Sequence, residues 1–172
     1  MRELADADRI ARFMRALGAA ARSDATCYLT GGATAVLVGW RATTLDVDIA
    51  IEPEADELLR ELPHLKEALK VNVELASPAD FIPLPDGWRD RSPFVGQEGR
   101  MAFRHFDPTS QALAKLERGH ERDLADVEAL LEARLAERGR LRAAYDEIEP
   151  HLYRFPAVDP RTFRARVEAV TA

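Results

Sequence analysis

Between Tyr28 and Ile51 the chain reads Tyr28-Leu-Thr-Gly31-Gly32-Ala-Thr-Ala-Val-Leu-Val-Gly39-Trp-Arg41-Ala-Thr-Thr44-Leu-Asp46-Val-Asp48-Ile-Ala-Ile51. An apolar strand runs into a Gly-Gly turn, a short helix follows, and a second strand carries two carboxylates two residues apart. Side chains alternate along a strand, so Asp46 and Asp48 share one face while Leu45, Val47 and Ile49 share the other. The segment therefore demands a sheet with one apolar face and one face bearing adjacent negative charges. Two such carboxylates repel each other unless a cation lies between them. A pair of Mg²⁺ ions suits that place, clamping the attacking and leaving oxygens of a phosphoryl displacement. The Gly31-Gly32 turn adds close backbone approach and a helix N-terminus, both suited to phosphate.

Around this segment the periodicity predicts further elements. Ile10, Phe13, Met14 and Leu17 mark an amphipathic helix that ends near Gly18 or the alanines after it. Strands are expected over 26–29, 45–51, 71–75 and 101–106, and a helix over 33–38. Pro63 is expected to divide residues 54–70 into two short helices. From Ser77 to Gly99 no period holds, because prolines and glycines interrupt it. Phe81, Ile82, Leu84, Trp88 and Phe94 nevertheless make that stretch too apolar for a disordered linker. It reads either as a flap beside the site or as a packed loop. Asp107 or Thr109 caps a helix that ends at Gly119. A long helix is expected over 121–138, with Leu124, Val127, Leu130, Leu131 and Leu135 on its buried stripe. Helices near 141–149 and 160–170 close the chain.

The expected fold is α/β: a small mixed sheet flanked by helices over residues 1–106, with a helical part over 107–172 packed on it as one globular unit. A chain of 172 residues, 47% hydrophobic and 31% charged, is long enough to build such a core without staples. Its single cysteine, Cys27, has no internal partner and is expected to face the core from the first strand. No apolar run suggests a signal peptide or a membrane span, so the expected compartment is the cytoplasm.

The net charge of −6 argues against a protein that merely coats nucleic acid. All of the excess lies in residues 1–99, with 11 basic and 17 acidic side chains, against 13 of each in residues 100–172. A cationic surface from C-terminal arginines remains open, although most of them are expected to pair at helical spacing. His64, His105, His120 and His151 lack zinc spacing, and no phosphate-binding loop of the Gly-x-x-x-x-Gly-Lys type is present.

Gly31-Gly32, the short helix and Arg41-x-x-Thr44-x-Asp46-x-Asp48 resemble the signature of the DNA polymerase beta-like nucleotidyltransferase superfamily. Within it the chain resembles the small AbiEii-type and MenT-type nucleotidyltransferase toxins and their uncharacterised relatives. A second stretch, from Asp107 through Lys115-Leu-Glu-Arg118-Gly-His-Glu-Arg122-Asp123-Leu-Ala-Asp126 to Val127, is similar to their lysine helix and Arg-Asp-Leu-x-Asp turn.

The resemblance implies a nucleotidyltransferase fold and transfer of a nucleotide from a nucleoside triphosphate (NTP). It makes Asp46 and Asp48 the Mg²⁺ ligands, and Gly31 and Gly32 the triphosphate-binding turn. It also implies a third carboxylate on a neighbouring strand to deprotonate or orient the acceptor; Glu74 is the first candidate and Asp80, in the loop, the second. Thr44 is expected to fix the loop through the backbone, and Arg41 to reach a substrate phosphate.

Lys115 lies in an apolar run, where an ammonium needs an anion. A triphosphate supplies one; otherwise the side chain snorkels to solvent. Asp123 is expected to orient Lys115 or bind nucleotide, with Asp126 on the same helix face to cap or salt-bridge the helix start. Arg122 reads either as a phosphate contact or as an exposed side chain. The acceptor implied by the resemblance is RNA, the 3′ end of a transfer RNA in particular, with a small antitoxin as partner. Arg41, Arg104, Arg118 and Arg122 would supply its basic wall. Adenylylation of a protein or small molecule, and a catalytically silent domain of the same fold, are the alternatives.

Overall fold

The computed structural model describes residues 3–172, which fall into two compact units. One unit holds the chain up to Ala76 together with Pro93–His105; the other holds Ser77–Ser92 and Phe106–Ala172.

The first unit comprises α1 (Ala7–Ala20), β1 (Ala25–Thr30), α2 (Gly32–Val38), β2 (Asp46–Glu52), α3 (Asp56–Leu69), β3 (Asn72–Leu75), β4 (Phe94–Glu98) and β5 (Met101–His105). Its five strands lie in the order β3-β2-β1-β5-β4. β1 runs antiparallel to β2 and parallel to β5, β3 is parallel to β2, and β4 is antiparallel to β5. This is the small mixed sheet of the expected α/β fold. Cys27, Leu29, Val47, Ile49, Ile51, Val73, Met101 and Phe103 form the apolar face. They share one core with Ile10, Phe13 and Leu17 of α1, Val36 of α2, and Leu58 and Leu62 of α3. Cys27 is fully buried, and burial pushes its thiol up beyond the reactive range.

Two expectations are corrected here. Residues 56–69 form one helix, with the exposed Pro63 inside it. On a solvent-facing side, water can satisfy the carbonyl that loses its N–H partner, while Leu58 and Leu62 hold the inner face to the core. The second correction is a strand inside the stretch read as irregular. β4 pairs with β5 across a two-residue turn at Gly99-Arg100, and a register shift between Phe94 and Gly96 hides its alternation.

The second unit comprises α4 (Pro108–Arg118), α5 (Glu121–Glu132), α6 (Arg138–Ile148), α7 (Pro160–Thr171) and two 3₁₀ segments, Pro78–Asp80 and Glu149–Arg154. Asp107 caps α4 by accepting from the backbone N–H groups of Thr109 and Ser110, and Gly119 ends the helix in the left-handed region. Residues 77–92 are packed within this unit. Trp88 stacks on Phe106 with ring centroids 4.4 Å apart, and Arg91 bridges to the buried Asp107 at 2.9 Å.

α5 stops at Glu132, six residues before the expected end. Arg134 adopts φ 57°, and the N–H groups of Leu135 and Ala136 turn back to the Leu130 carbonyl. No glycine or proline announces that stop. Leu124, expected in the stripe, is 38% exposed, and Asp123 and Asp126 take the buried face instead.

Candidate active site on the polar sheet face

Asp46 and Asp48 lie on the sheet face opposite Val47 and Ile49, as their spacing predicts. Thr30 is paired with Asp48 across the β1–β2 ladder, so the turn leaving β1 meets β2 at its carboxylates. Gly31 has φ 59° and ψ −124°, a combination that only glycine adopts without strain. A Cβ there would stand 3.1 Å from Asp48 Oδ2, which places that carboxylate directly beside the turn. At Gly32 a Cβ would fall 1.9 Å from Thr44 Oγ1. The Gly-Gly pair is thus a requirement of close approach on both sides.

Thr44 is buried and donates its hydroxyl to the carbonyl of Asp46 at 2.9 Å. Its backbone is held by an exchanged pair with Ala5, at 2.8 and 2.9 Å. Thr44 therefore fixes the chain leading into β2, the role expected of it. Arg41 follows α2, half-buried, with its backbone N–H on the Ala35 carbonyl at 3.3 Å.

On the other side of β2, the parallel register sets Asn72 opposite Asp46 and Glu74 opposite Asp48. Residues directly opposite in a ladder share a face, so Glu74 joins the two aspartates. Asn72, which sequence reasoning missed, connects them. It is 4% exposed, and its Nδ2 donates both to Asp46 Oδ1 and to Glu74 Oε1, the latter at 3.0 Å. The signal for Asn72 was its place two residues before Glu74 in an alternating strand. Asp80 belongs to the helical unit, where its carboxylate accepts from the Ser77 N–H at 2.9 Å and caps the 78–80 turn.

A second unforeseen group lies behind the turn. Thr34 of α2, fully buried, donates to the Leu29 carbonyl at 3.2 Å and lies 2.9 Å from His105 Nδ1. The two side chains share a hydrogen bond whose direction follows the His105 tautomer. Burial lowers the His105 pKa to about 4 and keeps the ring neutral. The trio ties the ends of β1 and β5 to the helix that follows Gly31-Gly32.

In the helical unit, Lys115 is buried and its ammonium meets α5, 2.7 Å from Asp126 Oδ2 and 3.9 Å from Asp123 Oδ1. Asp123 also takes Arg118, at 2.6 Å. Arg122 is exposed at the start of α5. Arg104, in the sheet unit, lies over the Phe94 ring at 5.6 Å.

Among the described residues, no group of three or more His, Cys, Asp and Glu side chains could hold a metal ion alone. Among them, too, no helix is long and apolar enough to cross a membrane. No curated protein and no solved structure matches the chain. One family model, described as a nucleotidyltransferase of unknown function (DUF6036), matches residues 7–168. That span takes in the Gly-Gly turn, the paired aspartates, the β3 carboxylate and the Lys115 helix, and the chain belongs to this nucleotidyltransferase family.

Proposed function

We propose that the protein moves a nucleotidyl group from an NTP to an acceptor hydroxyl on the sheet face that carries Asp46, Asp48 and Glu74. One observation carries this reading: three carboxylates from two adjacent parallel strands share a face, with Asp48 against the Gly31-Gly32 turn. The donor set suits Mg²⁺ delivered with the substrate, because that ion takes one or two protein carboxylates and completes its shell with phosphate and water oxygens. Asp46 and Asp48 would hold it, and when bound it would offset charge on the α-phosphate and the leaving pyrophosphate.

The chain's own residues account for the rest. Gly31 and Gly32 let the backbone approach the triphosphate without a side chain between. Thr44 keeps β2 in register with that turn. Glu74 accepts the proton of the acceptor hydroxyl as its oxygen attacks the α-phosphorus. The bond from that phosphorus to the β-phosphate oxygen breaks, and pyrophosphate leaves. Arg41 would reach a phosphate oxygen.

RNA is the proposed acceptor, a transfer RNA end in particular, in a toxin checked by a small antitoxin. Support for this comes from the resemblance to AbiEii-type and MenT-type enzymes. A protein or small-molecule acceptor is the second reading. The commitment of Arg118 to Asp123 favours it by removing one of the four arginines from a basic wall. Incubation with each labelled NTP, Mg²⁺ and total RNA tests the proposal. Label should pass to RNA, and transfer should weaken steeply as salt rises, because phosphate contacts release counterions. Label on protein, insensitive to salt, would move the acceptor to the second reading; no transfer to any acceptor would overturn the function.

A further inference from the structure

Asp46, Asp48, Asn72 and Glu74 occupy the four corners of a two-by-two grid on adjacent parallel strands. Strands lie about 4.8 Å apart and same-face residues about 6.6 Å apart, so three like charges are crowded into one small area. The fourth corner is an amide, and that choice has a consequence. An amide nitrogen carries two protons, and Asn72 uses its nitrogen for both neighbours, Asp46 Oδ1 and Glu74 Oε1. The orientation of the amide is forced, since its oxygen turned the same way would face two carboxylates. Asn72 is also buried, which leaves its rotamer little freedom. One rigid group therefore fixes the direction of two carboxylates at once.

We infer that Asn72 is the positioning residue of this site, setting Asp46 and Glu74 so that each keeps one oxygen for the substrate side. Its kinetic consequence rests on the nucleotidyl-transfer reading, whereas its structural consequence does not. An aspartate at 72 would place a fourth negative charge among the other three. An apolar residue would leave both carboxylates without their shared donor. Glu74 is exposed and has the longer side chain, so it has the more freedom to swing away.

The test uses the full chain as Asn72→Leu, which matches the size of the amide, and Asn72→Ser as a second variant should the first fail to fold. Ligand-free crystals of either should show Asp46 or Glu74 leaving its wild-type rotamer. Unmoved carboxylates in the folded variants would overturn the inference. In the transfer assay kcat should fall about 10- to 100-fold, the range for removing a supporting hydrogen bond, with the KM for NTP within about threefold. A raised KM with kcat intact would also overturn it, since that pattern reports lost binding rather than lost alignment. A wild-type protein that transfers no nucleotide would overturn the proposed function alone, and the crystals would still decide the role of Asn72.

Discussion

Lys115 Nζ and Asp126 Oδ2 stand 2.7 Å apart, with both side chains more than nine-tenths buried. An ammonium in an apolar run needs an anion, and α5 supplies one from within the same unit. Taking the ammonium away from this buried carboxylate removes a charge-assisted hydrogen bond, worth about 1.5–3 kcal/mol. Lys115→Met should therefore lower stability by that amount in urea unfolding. Asp126→Leu placed on top should recover part of the loss, because the carboxylate that met the ammonium is then gone. A Lys115→Met protein of wild-type stability, with only a raised KM for NTP, would assign the lysine to the triphosphate instead.

Asp46 and Asp48 are expected to behave as functional and not structural carboxylates. Asp46→Asn should abolish nucleotide transfer while the fold stays intact. Removing one of two neighbouring negative charges should leave the metal-free melting temperature unchanged or slightly raised. A large drop in melting temperature would make Asp46 a structural member of the Asn72 network.

The Gly32 position gives a steric prediction with a built-in rescue. A methyl group there would fall 1.9 Å from Thr44 Oγ1 and 2.7 Å from Thr44 Cβ. Gly32→Ala should therefore displace α2 or the chain before β2, costing about 1–3 kcal/mol. Thr44→Gly removes both clashing atoms, so Gly32→Ala with Thr44→Gly should be less perturbed by the alanine than the wild-type background is. Equal effects of the alanine in both backgrounds, measured by thermal unfolding, would place the strain elsewhere.

The Asp46/Asp48 face was readable because a strand's period of two leaves no choice of side. The same rule put Glu74 on that face once β3 was known to lie beside β2, a pairing that no local pattern encodes. Asn72 escaped because its role depends on that pairing and on two acceptors brought by the fold. The buried side of α5 was legible in part. Val127, Leu130 and Leu131 lie in the stripe as expected, but Leu124 does not, because Lys115 on α4 meets carboxylates there and Asp123 and Asp126 take the position. β4 was lost to its register shift, and the end of α5 to a left-handed arginine in place of the usual glycine.

His105 gives the pH prediction. In the unfolded chain its imidazole takes a proton near pH 6.5, while in the folded protein burial holds its pKa at about 4. Between those values the unfolded chain binds a proton that the folded one does not. Stability from this residue is therefore complete above pH 6.5 and is lost as the pH falls towards 4, by about 3 kcal/mol at most. The neutral ring is hydrogen-bonded to Thr34, which also meets the Leu29 carbonyl, so the loss should loosen α2 and the Gly31-Gly32 turn. Urea unfolding of wild type and His105→Gln at pH 7.5, 6 and 5 separates this effect from that of the carboxylates common to both. The variant should lose less stability than wild type across that window. Equal losses would mean that His105 takes its proton in the folded state as readily as in the unfolded chain.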